Sequence, residues 1–204
     1  MATARPKPYH HGDLRRALIT AGIELLREEG AAALDLRKVA RKVGVSNAAP
    51  YRHFEDKRAL LAAIAEEGFI QLTDRLRSAD SVDASDSKLL ALTRAYVDFA
   101  LTEPALMREM FSGLTIDRLA YPSLHAASKS AFDMLLSLVE REQAAGAFIQ
   151  DDPVKLALVA WSMFHGLAML LMENQMLMLG SDRPAIDDMI QRCAASLYNG
   201  LRPR

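Results

Sequence analysis

Apolar residues in this chain recur at helical spacing along nearly its whole length, and no stretch alternates apolar with polar as a half-buried strand requires. Asn-Gly hairpin turns are missing as well before the last helix. The pattern predicts an all-α chain of about nine helices, near 11–29, 36–43, 47–53, 57–78, 87–102, 104–112, 121–145, 153–179 and 183–199. Gly30, Gly44, Gly146 and Gly180 stand where helices stop, and Asp152-Pro153 reads as a cap followed by proline at the first helical position. Half of the residues are hydrophobic, so the helices can bury a sizeable core. Leu124, Ala131, Leu135 and Leu138 make one core stripe, and Ile186, Ile190, Cys193 and Leu197 another.

The most apolar segment, 156–172, carries no formal charge over 17 residues. That is the short limit for a membrane span. His165 and Ser162 lie inside it and charges flank it closely, so a helix covered by protein is expected, with no membrane partner. The single cysteine, Cys193, cannot form an internal disulfide. The start of the chain, MATARPKPYHHGDLRR, lacks the apolar run of a signal peptide, and both features fit a cytoplasmic protein.

A net charge of −1 hides an uneven distribution. Residues 1–60 hold 12 Lys and Arg against 7 Asp and Glu; the remainder holds 13 against 19. A basic head on an acidic body implies that the head meets a polyanion. Within the head, the stretch GVSNAAPYRHFEDK at 44–57 crowds polar and basic groups around few apolar ones. With the helix at 36–43 before it, this stretch reads as a helix-turn-helix, Gly44 supplying the left-handed turn and Ser46 or Asn47 the cap of a short third helix.

Arg37 and Lys38 fall in the first turn of one helix, Lys57 and Arg58 in the first turn of another. Positive charge there opposes the helix dipole by roughly 0.3–1 kcal/mol per site, whereas a phosphate seated at the helix start reverses the sign. The third helix would then enter the major groove. Asn47 can read a base edge, most naturally adenine; Ala48 and Ala49 can touch a thymine methyl; Tyr51, Arg52 and His53 can donate to phosphates.

With LDLRKVARKVGVS and APYRHFEDKRALL in register, the sequence resembles the TetR family of transcriptional regulators over roughly residues 10–65. The resemblance implies a three-helix DNA-binding head, here 1–56 with its basic arm, on a helical effector-binding and dimerisation body, 57–204. It also implies that Arg37, Ser46, Asn47, Tyr51, His53 and Lys57 contact DNA. Asp35 stands where the family has Thr or Ser; it still caps, but an acidic group makes no phosphate contact. Trp161, His165 and Gly166, in WSMFHG, and the prefix YHHGDLRRAL resemble the subgroup named for a Trp-His-Gly signature.

All nine internal methionines follow residue 100, and such side chains suit adaptable apolar surfaces. A greasy cavity lined by Phe99, Met107, Phe111, Met134, Leu138, Trp161 and His165 is expected to take a small, mostly apolar effector, although a body that recruits another protein fits the same pattern. Residues 156–172 are too apolar to face water, and the last two helices are expected to form a two-fold homodimer on a double-stranded DNA operator. No metal-ligand spacing, phosphate-cradling glycine loop or nucleophile signature is present, so no enzyme and no cofactor are expected. The sequence thus points to a dimeric repressor released from a palindromic operator by its effector.

Overall fold

The computed structural model describes residues 11–81, 88–112, 120–175 and 182–203. The described residues contain helices and no strand. They form α1 (His11–Ala33), α2 (Leu36–Val43), a 3₁₀ turn (Pro50–Arg52), α3 (Lys57–Ser81), α4 (Lys88–Thr102), α5 (Pro104–Phe111), α6 (Pro122–Ala144), α7 (Pro153–Met172) and α8 (Arg183–Leu201). The basic arm with Arg5 and Lys7, together with Met176, Met178 and Gly180, lies outside the described residues.

α1, α2 and the start of α3 make the head. Leu18, Leu25 and Leu26 of α1 pack with Leu36, Val39 and Ala40 of α2 and with Phe54 and Leu60. Gly30 breaks α1 with φ 79°, ψ 168°, and the chain then takes one more turn. Asp35 caps α2, its Oδ1 accepting the Arg37 backbone N–H at 2.5 Å. Gly44 closes α2 in the left-handed region at φ 79°, its N–H bonded back to the carbonyls of Ala40 and Arg41.

The third helix of the head departs from expectation. Residues 47–53 do not form an α-helix. Turns through Ser46–Ala49 lead into the single 3₁₀ turn at Pro50–Arg52. Pro50 has no N–H to give to the carbonyl four residues back, so the segment tightens. Ala49, Arg52 and His53 each donate to the carbonyl three residues earlier. Buried Phe54 anchors the exit, with the Arg15 guanidinium of α1 5.7 Å from its ring centre.

α3 passes from the head into the body, where α4, α5 and α6 surround it. α6 runs alongside it in the same direction, as Ser123 bonded to Glu66 and Arg141 paired with Asp80 show. Gly68 lets α5 approach: a Cβ there would sit 2.6 Å from Met110 Sδ and 3.0 Å from Leu106 Cγ. α7 and α8 complete the body, each entered through a proline behind an aspartate cap. α7 ends at Met172 rather than near 179: Glu173–Gln175 form a turn, and Asn174 takes φ 51°, which asparagine tolerates.

Candidate DNA interface and effector cavity

On the head, Asn47, Ala48, Tyr51 and Arg52 are exposed on the turn between α2 and α3, Ser46 is exposed beside them, and Ala49 and His53 are half-buried. Tyr51 presents half its surface to solvent, although nothing about a head core prevents burial of a ring that size. The expected contact residues therefore lie on the segment between α2 and α3, most of them exposed, as are Arg37 and Arg58.

The lysines behave differently from the arginines. Lys38 is tied to Glu29 at 2.6 Å, and Lys42 bonds Glu28 at 2.9 Å and Glu24 at 3.2 Å. The hydrogen bond to Glu28 raises the Lys42 pKa above its ordinary value. These pairs staple α2 to the acidic end of α1. Lys57 donates to the Ala32 carbonyl at 3.1 Å, holding the α1–α2 link against the start of α3. Asp56 caps α3 through the Ala59 N–H at 2.8 Å. Both helix starts are therefore occupied by an aspartate, and part of the cation surplus there balances that charge. Arg37 and Arg58 remain as the outward-pointing cations of these two starts.

In the body, a cavity of about 320 Å³ opens between α6 and α7. Its floor is Phe69, Leu72 and Leu76 of α3 with Leu92 and Tyr96 of α4, and Phe111 of α5 closes one end. On the solvent side lie His125 and Lys129 of α6 and Val154 and Leu158 of α7, all exposed. Of the expected lining residues, Phe111 and Trp161 face this space. His165 stands directly behind it, its ring 4.5 Å from that of Phe111. Phe99, Met107 and Leu138 are instead fully buried in the packed core, and Met134 is half-buried against that core. The α3 and α4 contributions were missed, because periodicity assigns a residue to a helix face but not to the neighbour it meets.

Three polar side chains form a chain at the cavity wall. The Trp161 indole N–H donates to Tyr96 Oη at 3.3 Å, and Tyr96 Oη lies 2.9 Å from His165 Nδ1. Burial pushes the His165 pKa below its ordinary value and favours the neutral ring, and the ring's tautomer sets which partner donates in the Tyr96 Oη–Nδ1 bond. An aromatic with a polar tip inside an apolar helix needs such a partner, and that was the available sequence signal for Tyr96.

Head and body together place the chain among the helix-turn-helix DNA-binding transcriptional regulators. Residues 18–64 match the family model for bacterial regulatory proteins of the tetR family, and residues 89–197, more than half of the chain, match the tetracyclin repressor-like C-terminal domain. The chain belongs to the TetR family and is a transcriptional regulator, not an enzyme. A protein of unknown function from Rhodococcus sp. RHA1 superposes with TM-score 0.84 at 35% identity, over 97% of this chain and 100% of that one. The fatty acid degradation regulator FadR from Bacillus halodurans shares the fold at TM-score 0.72 and 20% identity, over 96% and 100% of the two chains. Among curated relatives, the uncharacterized HTH-type regulator YobS of Bacillus subtilis is 29% identical over 93 residues, 46% of this chain and 49% of its own length. The class C tetracycline repressor protein of Escherichia coli is 46% identical over 52 residues, 26% and 24% of the two chains. The chain thus spans about half the length, or less, of these curated relatives. The finer Trp-His-Gly assignment rests on the WSMFHG and YHHGDLRRAL residues alone.

The His165 geometry sets a pH dependence. A histidine whose folded pKa is depressed contributes stability that is fully present above the unfolded value, about 6.5. That contribution shrinks as the pH falls below it and is gone past the folded value. In urea melts, the wild-type midpoint is expected to fall more between pH 7 and pH 5 than that of His165→Gln, which has no charge to acquire; equal slopes would mean that His165 is not held neutral.

Proposed function

We propose that the protein is a dimeric repressor that leaves a palindromic operator when a small, mostly apolar effector enters the cavity between α6 and α7. The observation that carries the DNA part is the exposed face at 46–52, bordered by Arg37 and Arg58. A stretch this polar with a half-exposed tyrosine has little to gain from folding alone. In this reading the head comprises 1–56 and the body 57–204. Asn47 reads a base, with Ala48 and Ala49 beside it. Arg37, Ser46, Tyr51, Arg52 and His53 hold phosphates, and Lys57 exchanges its carbonyl partner for one. A cytoplasmic location follows from a DNA target. Selection of bound duplexes from random oligonucleotides is expected to return a palindrome. Asn47→Ala should relax preference at one base pair of each half-site, whereas Arg37→Ala should weaken all sequences alike and lower the salt slope by about one unit. Uniform weakening by both would move readout away from Asn47.

The dimer reading rests on α7. Among the described residues, four of the six large hydrophobic side chains left exposed are on this helix: Val154 and Leu158 border the cavity, and Val159 and Leu170 lie beyond it. Ser162 and Gly166 lie between them, and a Cβ at Gly166 would meet nothing within 4 Å. Small residues in an apolar stripe allow close approach of a second copy, so α7 and α8 pair about a two-fold axis. The recognition turns then meet successive major grooves about 34–36 Å apart. Val159→Asp together with Leu170→Asp is expected to yield monomers in sedimentation at unchanged helical content; a dimer that survives both charges places the seam elsewhere.

Release follows from linkage between cavity and head. Phe111 ends α5 in the cavity, and the Arg27–Glu103 pair at 2.7 Å ties the other end of α5 to α1. An effector that fits one setting of α3 and α5 better than another shifts the spacing of the two heads. Disulfide-locking the heads at operator spacing is expected to abolish effector release; release from the locked dimer would require a different switch.

A further inference from the structure

We infer that the cavity takes a single-chain amphiphile carrying one carboxylate, its hydrocarbon chain lying lengthwise between α6 and α7 and its head at Lys129. The inference rests on the effector reading of this cavity and adds the chemical class of the ligand.

Three observations converge. The first is the chemistry of the interior, which is ring and aliphatic carbon from α3, α4, α5 and α7. The polar tips at the wall, on Trp161 and Tyr96, are joined to each other and to His165. A ligand polar group driven among the carbons would lose its water without a replacement. The interior therefore selects hydrocarbon.

The second is shape. The α6 lining runs from His125 to Leu135 and the α7 lining from Val154 to Phe164. Either stretch rises roughly 15 Å along its helix. A cavity of about 320 Å³ drawn out over that length is a narrow slot, which suits one extended hydrocarbon chain. At the rise of an extended backbone, the length corresponds to a chain of roughly ten to twelve carbons.

The third is the unequal rim. The α7 lip is apolar, with Val154 and Leu158. The α6 lip carries His125, Ser128 and Lys129. Lys129 Nζ is held by both oxygens of Asp133, at 2.8 and 2.7 Å, with 64% of the lysine side chain exposed. An exposed pair at this spacing contributes little, because water screens it. A ligand carboxylate can therefore recruit Lys129 at little loss. Asp133 remains beside the site and repels a dianionic head, which favours a carboxylate over a phosphate monoester.

Trp161 is the only tryptophan of the chain and lines the cavity, so its emission reports occupancy. The full-length protein is titrated with decanoate, 1-decanol and phenanthrene. Decanoate is expected to saturate the Trp161 signal at least tenfold more tightly than 1-decanol. Lys129→Met should bring decanoate down to the level of 1-decanol and leave 1-decanol unchanged. Equal binding of acid and alcohol, or equal loss of both in Lys129→Met, overturns the carboxylate; phenanthrene binding more tightly than decanoate overturns the single chain. A signal that saturates with none of the three overturns the cavity as an effector site, and the class with it.

Discussion

The burial of the first turns of α3 on all sides is the constraint on which the remaining architecture depends. Leu60, Leu61, Ala62, Ala63, Ile64 and Ala65 are six consecutive buried residues, which a helix resting on one surface does not have. Leu60 and Ile64 meet Gly22 of α1, while Gly68, Phe69 and Leu72 meet α5 and the cavity. Fully burying a leucine or isoleucine contributes about 1.5–3 kcal/mol, so the head cannot detach from the body without exposing several such side chains. One rigid rod therefore belongs to the DNA-facing head and to the cavity floor together.

α5 gives that rod a second connection. Glu103 at its entrance pairs with Arg27 of α1, Met110 fills the space that Gly68 leaves, and Phe111 at its end touches Phe69, Trp161 and His165. Glu109 is buried on the same short helix, and burial raises its carboxyl pKa against the opposing effects of Ser112 and the Lys57 charge. A side chain that displaces Phe111 thus acts on a helix already joined to α1 by an ion pair and electrostatically to Lys57. The proposed switch uses connections that packing has made, with no additional hinge.

Sequence legibility followed the range of the forces involved. Local signals located the helices: Asp35 and Asp152 cap, Gly44 and Gly146 take positive φ, and Pro153 starts α7. They failed where a single residue overrode the pattern, as Pro50 did in converting the third helix to a 3₁₀ turn. Charge at helix starts was legible, but its division was not. Which cation meets Glu29 and which faces outward depends on how α2 crosses α1, and that angle is set by the core. The cavity was least legible. Phe99 and Met107 looked as suitable as Phe111, yet they fill the core, because a helix face can point to a neighbour or to a gap and its period is the same in both cases.

α7 shows why its uncharged run has two uses. Ala157, Ala160, Phe164 and Ala168 point inward, and the small alanines let α4 and α6 pack close. Val154, Leu158 and Trp161 line one edge of the helix as cavity wall, while Val159, Ser162, Gly166 and Leu170 lie along the adjoining, open edge. A helix that is apolar all round is stable in water only when every face is covered. Protein covers the first face. The proposed effector covers the second, and the proposed second copy covers the third. Occupancy of the cavity and pairing of the subunits are then coupled through one rigid helix, since a rotation that widens the slot also turns the open edge.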